Sequence, residues 1–475
     1  MLVTSTAKTP NQENTLNLIS KGSVGGLWRI CFPLMLSALS GTLMIFFARI
    51  ILAQYDTRAM IAATTASSIF TVFQFGAMSI AMIAEVFVGQ FNGATRWEEI
   101  SRPVWQMIWF SLGCFFIMAP IGIWGSHWFI PAELAQEGGA YFKWMMIFGP
   151  IFALVSALSS FFIGRGKVKI VTLSVIVGNL LNLVFVLAFV FGINGLIQPM
   201  GAKGAAIATG LAELIVAIGL FSIFLNPYNR KKYHTFNWQF DKNIFIQCIK
   251  IALPNTFGHM VALAAWATMM LLLADKGSEH MTVMSIGLSI WSLFSFITEG
   301  LQKGVTAVAA NCIGARNNKS VSEVMKSGLK LQFTLALVFS LPLIVMPELL
   351  VQFFIPAQLE STPEGMRLQE LLNTSCRWLW VAFLFDGMAW VIDGILTAAG
   401  DTRFIMVMNS IGTWLFCIVP IYLLVVKMDG SPIMMLQVIT GFCFILFLSY
   451  FLRYRSKIWQ KTPLISITFQ TVKQH

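Results

Sequence analysis

The sequence predicts an all-α polytopic membrane protein, with twelve transmembrane helices in two six-helix lobes related as parallel repeats. Three observations carry that expectation. The first is composition: 57% of the 475 residues are hydrophobic and 11% are charged, about half the charged share of a soluble chain. The second is run length. Stretches such as 36–53, 173–196 and 434–452 approach or reach the roughly 20 residues that cross ~30 Å of hydrocarbon. The third is an internal repeat: Pro33 recurs as Pro254, and 60 residues beyond each stand Gly93-Ala94 and Gly314-Ala315. An amide residue, Gln90 or Asn311, precedes each glycine by three positions. An outer-membrane barrel would instead alternate over segments of about ten residues, and the sequence holds no such pattern.

Breaks at charge and Gly/Pro clusters divide the chain into twelve apolar segments. The first, 26–53, carries "RICFP" and follows about 20 polar residues that lack a secretory signal's apolar core and cleavage site. It is therefore expected to stay attached and direct its own insertion. The second, 60–90, runs into "GQFNGATR", and the third and fourth span 103–125 and 141–163. Gly166-Lys167-Val168-Lys169 opens the fifth, 170–193, and the sixth, 203–225, closes the first half. The polar run 226–243, "NPYNRKKYHTFNWQFDKN", reads as a cytoplasmic linker, either solvated or laid against anionic headgroups. The seventh, 247–274, carries "KIALP", and the eighth, 281–312, runs into "ANCIGARN". The ninth, 327–354, leads into a long external stretch, 355–372, and the tenth spans 372–398. Gly400-Asp401-Thr402-Arg403 opens the eleventh, 404–426, and the twelfth is 433–453. Here the repeat offset has grown from 221 to 234, so the external stretch is expected to hold 13 extra residues. The organisation that follows is a tail 1–25, an N-lobe 26–225, a linker 226–246, a C-lobe 247–453 and a tail 454–475.

The +11 net charge is a topology signal. Alternate loops and the two termini hold 23 of the 32 basic residues, the opposite side holds eight, and Lys303 lies within the eighth segment. By the positive-inside rule both termini are cytoplasmic and the protein is multi-pass in the cell's inner (plasma) membrane. Nucleic acid is not an expected partner. The seven cysteines lie mostly in apolar segments without a CxxC pair, and the five histidines form no ligand-spaced cluster. Buried apolar thiols and no metal site are expected. No His/Asp or Ser/His constellation gathers at one membrane face, which argues against an enzyme such as a membrane transferase. Two even-numbered halves insert the same way round, so they relate by an axis along the membrane normal with a cleft between them. That suits alternating access and is more than a channel needs.

At these points the sequence resembles the multidrug and toxic compound extrusion (MATE) transporters. The residues that carry the likeness are Pro33, "GQFNGATR" (89–96), "LLNLVFVLAFVFGINGL…GAKGAAIAT" (180–209) and "DGMAWVIDGILTAAGDTR" (386–403). The resemblance covers nearly the whole chain. It implies an antiporter exporting amphipathic, mainly cationic organic compounds, driven by inward H⁺ or Na⁺, the transported ion being the only cofactor. The expected partners are a small organic substrate and the lipid bilayer, around a monomer. Relatives on the same fold flip lipid-linked sugars, so a lipid-linked sugar or peptidoglycan-precursor flippase is the alternative.

Ionisable groups at membrane depth are functional candidates, because each costs several kcal/mol unless paired or hydrated. Four acids qualify: Glu85, Glu299, Asp386 and Asp393. The last two stand two turns apart on one face, with Trp390 between them as a cation–π surface. The resemblance places Asp386 at a helix-10 acid of the cation site. Glu299 reads either as half of an i,i+4 pair with Lys303 or as a coupling acid. Glu85 has no basic residue at i±3 or i±4 and is expected in the hydrated cleft. Where the family has acids in helices 1, 5 and 7, this chain has Arg49 or, one register earlier, Ala48, then Asn182 followed by Val186, and Ala262 one turn after His259. Coupling is therefore expected in the second lobe, at Asp386 with Glu299, Asp393 and His259, the histidine being either a proton group or a core residue. Arg49, Asn182, Glu85 and Trp390 are expected to line the substrate cleft. Pro33 and Pro254 are expected to kink their helices.

Overall fold

In a computed structural model the chain is described over residues 23–193, 195–355 and 362–461. The tail through residue 22, residues 356–361 of the external stretch and the tail from residue 462 lie outside the described residues. Among the described residues twelve helices are long and apolar enough to cross a membrane: α1 Val24–Tyr55, α2 Thr57–Gly93, α3 Trp97–Trp124, α4 Ala132–Ile163, α5 Val168–Phe191 and α6 Gly201–Phe224 in one half. The other half holds α7 Lys242–Ala274, α8 Ser278–Gly314, α9 Asn318–Val345, α10 Gly365–Ala398, α11 Thr402–Lys427 and α12 Pro432–Arg455. Among the described residues there is no β-strand, only an isolated bridge between Ile193 and Ile197. All seven cysteines are free and buried.

For three of the six helix pairs the repeat holds to the residue. Adding 221 to the bounds of α2 and α3 gives those of α8 and α9, and α6 and α12 match at 231. The extra residues fall where α9 ends at Val345 and α10 begins at Gly365, against Trp124 and Ala132 in the first half. Part of that length is structured, as a short helix Pro347–Val351 and a 3-10 turn Gln352–Phe354. Pro347 explains the break before it: Met346 is pushed out of the helical region, to φ −132° and ψ 51°.

Two sequence readings are corrected. The ninth helix begins at Asn318, not 327, because Asn317 caps it by accepting from the Ser320 N–H at 3.1 Å and its polar first turns still bury Ser320, Val321 and Val324. The linker is not simply solvated, for its backbone is pinned along α3. The Trp105 indole donates to the Thr235 carbonyl at 3.0 Å and the Gln106 amide to the Gln239 carbonyl at 3.1 Å. Arg165 is buried beneath the linker's start, 3.6 Å from the Phe161 ring and 4.4 Å from Tyr233. Pro33 and Pro254 lie inside α1 and α7, each of which continues as a single helix past its proline. The irregular turns lie elsewhere: at Ile83, which splits α2, in a π turn ending α9, and in three π turns of α11. The carbonyl of Met82 at the α2 break is taken by the Ser160 hydroxyl at 3.2 Å.

Candidate transport cleft and its seal

The lobes meet at the end of the bundle where α1 begins and α2 and α8 finish. Small residues let the backbones touch there. A Cβ on Gly300 would meet Met35 backbone at 2.5 Å, one on Gly304 the Cys31 sulfur, and one on Gly89 the Ala310 methyl at 2.7 Å. Further along, Thr256 donates to Ser79 at 2.9 Å across the boundary. These contacts lie in the half of the bundle nearest the chain's start. At the opposite end the outer turns of α1 and α7 present exposed Phe46, Phe47, Arg49, Leu263 and Leu271.

The repeat landmarks themselves form the seal. The Gln90 amide donates to the Ala398 carbonyl at 2.8 Å, where α10 ends, and the Asn311 amide donates to the Gly164 carbonyl at 2.7 Å, just past α4. Ala398 follows Gly164 by 234 residues, the offset between Gly166 and Gly400 at the openings of α5 and α11. Each lobe thus supplies an amide that satisfies an orphan helix-end carbonyl of the other. Asn92 donates to Asn311 Oδ1 at 2.7 Å at the centre of the arrangement. A Cβ on Gly93 would overlap the Asn311 backbone, and one on Gly314 the Gln90 backbone, so glycine is required at both.

The candidate coupling residues gather in the C-lobe. The His259 ring stacks on Trp390 at 5.9 Å and 23° and meets Phe75 of the N-lobe edge-on at 6.1 Å, so it lies between the lobes. Trp390 is within reach of the Asp386 carboxylate one turn before it. Asp386, His259 and Trp390 are half-buried, while Asp393 is 3% exposed and accepts from the Gln302 amide of α8. Its second oxygen is enclosed without a hydrogen-bond partner. Among the described residues neither Asp386 nor Asp393 has an ion pair. Beyond them the Tyr450 hydroxyl donates to Asn409 at 3.2 Å, which extends the polar patch to α11 and α12. Among the described residues no three His, Cys, Asp or Glu side chains converge as a metal cluster would require.

Other expected site residues fall elsewhere. Glu299 forms the i,i+4 pair with Lys303 at 2.6 Å and remains half-exposed. Glu85 is not in the cleft: it is 3% exposed inside the seal, because α2 turns it toward α8 after the Ile83 break. It has a basic neighbour after all, Lys303, reaching from the other lobe. Asn182 is likewise buried, 2% exposed, with its amide on Thr209 of α6 at 2.9 Å. Arg49 is exposed on the outer half of α1, within electrostatic reach of Tyr141. One acid escaped the sequence reading. Glu213 stands mid-way along α6, half-buried, with no ion pair among the described residues. A lone acid inside the run "LAELIVAIGL" was the available signal.

The MatE family model matches residues 33–188 and 256–423, the bulk of both lobes. The chain belongs to the MatE family. It is 23% identical over 392 residues to the probable multidrug resistance protein NorM of Photorhabdus laumondii, covering 81% of this chain and 84% of that one. To the DNA damage-inducible protein F of Escherichia coli it is 22% identical over 409 residues, 81% and 82% of the two chains. Among solved structures, the outward-facing conformation of a multidrug resistance MATE family transporter superposes with a TM-score of 0.81 at 16% identity, covering 96% of this chain and all of that one. The eukaryotic MATE transporter AtDTX14 gives 0.75 at 18% identity, with 95% and 98% covered. These structures share the twelve-helix, two-lobe MATE fold.

Proposed function

We propose that this MatE-family protein is a cation-coupled antiporter of the plasma membrane, with both termini cytoplasmic, that exports amphipathic cationic organic compounds. It works as a monomer, by alternating access between its lobes. One observation carries the reading: a carboxylate pair, Asp386 and Asp393, set beside an aromatic ring at membrane depth with no basic partner among the described residues. Uncompensated acids in that setting are neutralised by taking up a cation, H⁺, Na⁺ or the substrate itself. With the termini inside, the sealed end is cytoplasmic and the cleft opens outward. Cation uptake at Asp386 in that state favours substrate release, because a ligand shifts states only by differential affinity.

A lipid-linked sugar flippase needs several cleft arginines. Here Arg49 is the single arginine expected in the cleft, the C-lobe candidates are acids, and the Photorhabdus relative is a probable multidrug resistance protein. The test is efflux of a cationic dye such as ethidium from vesicles under an imposed proton gradient and, separately, a sodium gradient. Gradient-driven efflux that Asp386→Asn abolishes supports the antiporter, and the active gradient names the ion. No dye movement with correctly inserted protein refutes multidrug export.

A further inference from the structure

Under the floor of the cleft, three charged side chains from the two lobes come together, apart from the Asp386 face. Lys303 donates to Glu299 at 2.6 Å and acts electrostatically on Glu85 across the lobe boundary. The three run from an exposed side chain to an enclosed one. The Glu299 side chain is 50% exposed and that of Lys303 28%, whereas Glu85 is 3% exposed. Glu85 Oε1 is fully enclosed and has no hydrogen-bond partner.

Fully ionised, the set would carry two negative charges and one positive. An uncompensated charge enclosed in this way costs several kcal/mol, so the set is complete only with one more cation. Among the described residues the surroundings offer none: Arg165, next to Gly164, is held by the Phe161 carbonyl and the Phe161 and Tyr233 rings. On α4, Ser160 spends its hydroxyl on the Met82 and Ser156 carbonyls, and the Gly164 carbonyl is taken by Asn311. On α3, Gln106 is committed to the linker. Arg96 and Glu99 pair with each other at the end of α2, 2.5 Å apart. Asp393 is held by Gln302 of α8. A sodium ion would need several oxygens around it, and the Lys303 ammonium already lies against Glu299 and toward Glu85. A proton needs only the one free oxygen.

We propose that Glu85, Lys303 and Glu299 form a proton-binding site at the lobe boundary, with Glu85 holding the proton while the seal is closed. Its place in the chain gives the site a consequence. Glu85 lies in the first turn of the segment Ala84–Gly93, whose last turn supplies Gln90, Asn92 and Gly93 to the seal. When the lobes part at that end, Glu85 passes from enclosure into water and ionises there. A proton that entered from the cleft, past Glu299, then leaves on the other side. This transport consequence rests on the alternating-access reading; the binding site itself does not.

The test is an infrared pH titration of the full chain in liposomes, following the carbonyl stretch of buried carboxylic acids. Glu85→Gln should remove one band that the wild type shows and loses as pH rises. Glu299→Gln frees Lys303 to pair with Glu85, so the band should vanish at lower pH than in the wild type. Lys303→Met removes the cation, so the band should persist to higher pH. A full band surviving in Glu85→Gln, or unmoved midpoints in both other variants, overturns the proposal. Loss of the band on adding sodium at fixed pH overturns the proton assignment. Glu299→Gln and Lys303→Met leave Glu85 in place, so the question stays answerable if Glu85→Gln does not fold. No transport is read, so failure of dye efflux and failure of this site are separate results.

Discussion

Asn311→Ala should release the seal between the lobes, and the structure sets the size of the effect. The substitution removes two lobe-to-lobe hydrogen bonds, to the Gly164 carbonyl and from the Asn92 amide, both at 2.7 Å. A third bond, to Ala307 in its own helix, exists with the lobes together or apart and does not discriminate. Each buried neutral bond is worth about 1 kcal/mol net, and leaving Asn92 and Gly164 unsatisfied adds to that. The closed state should lose about 2–3 kcal/mol, which is roughly a 30- to 150-fold change in the closed-to-open ratio. Spin labels at Glu98 and Lys319 report it. Both positions are exposed, one beyond α2 and the other in the first turn of α9, on opposite sides of the seal. The seven native cysteines are buried and would not compete for label. Pulsed electron–electron distance measurements should show a short distance in the wild type and a longer population in the variant. Thr268→Ala serves as control, since that hydroxyl bonds only the Ala264 carbonyl of its own helix at 2.9 Å. A closed-to-open ratio unchanged within about threefold, or shifted equally in the control, would refute the reasoning.

Other expectations follow from the same geometry. Gly93→Ala and Gly314→Ala put a methyl into the opposing backbone, at about 1–3 kcal/mol. The same labels should read an open seal in either variant, and a closed seal would show that the crossing has slack. Arg165→Met should lower thermal stability by about 2–4 kcal/mol, the sum of a charge-assisted bond and a buried cation–π contact. The guanidinium donates to the Phe161 carbonyl at 2.9 Å and stacks on Phe161 and Tyr233. An unchanged melting temperature would count against it. At the far end Lys276 holds the Asp429 carboxyl below its usual range, first through their hydrogen bond and then through charge. A depressed carboxylate stabilises above its unfolded value, and the gain is lost as pH falls through the folded value. The melting temperatures of wild type and Asp429→Asn should therefore converge in acid, and a gap that widens there refutes the pairing.

Much of this could be read from one dimension, because hydropathy and chain length are local quantities in lipid. A run of about 20 apolar residues must span as a helix, since no water is present to satisfy its backbone, so α1 to α12 and their pairing into repeats were legible. So was the i,i+4 pair of Glu299 and Lys303, which one helix contains entirely. The role of the repeat landmarks was not. Gln90 and Asn311 stand 221 residues apart, and only the packed lobes show that each caps a helix end in the other half. The same limit misplaced Glu85. No partner stands along α2 because Lys303 reaches it from α8, and its burial follows from the break at Ile83 and the closeness of Gly89 to Ala310. Sequence periodicity tells which side chains share a face of one helix. Which face meets which, and therefore whether an acid is hydrated, paired or enclosed, is decided by how closely small residues let distant helices approach.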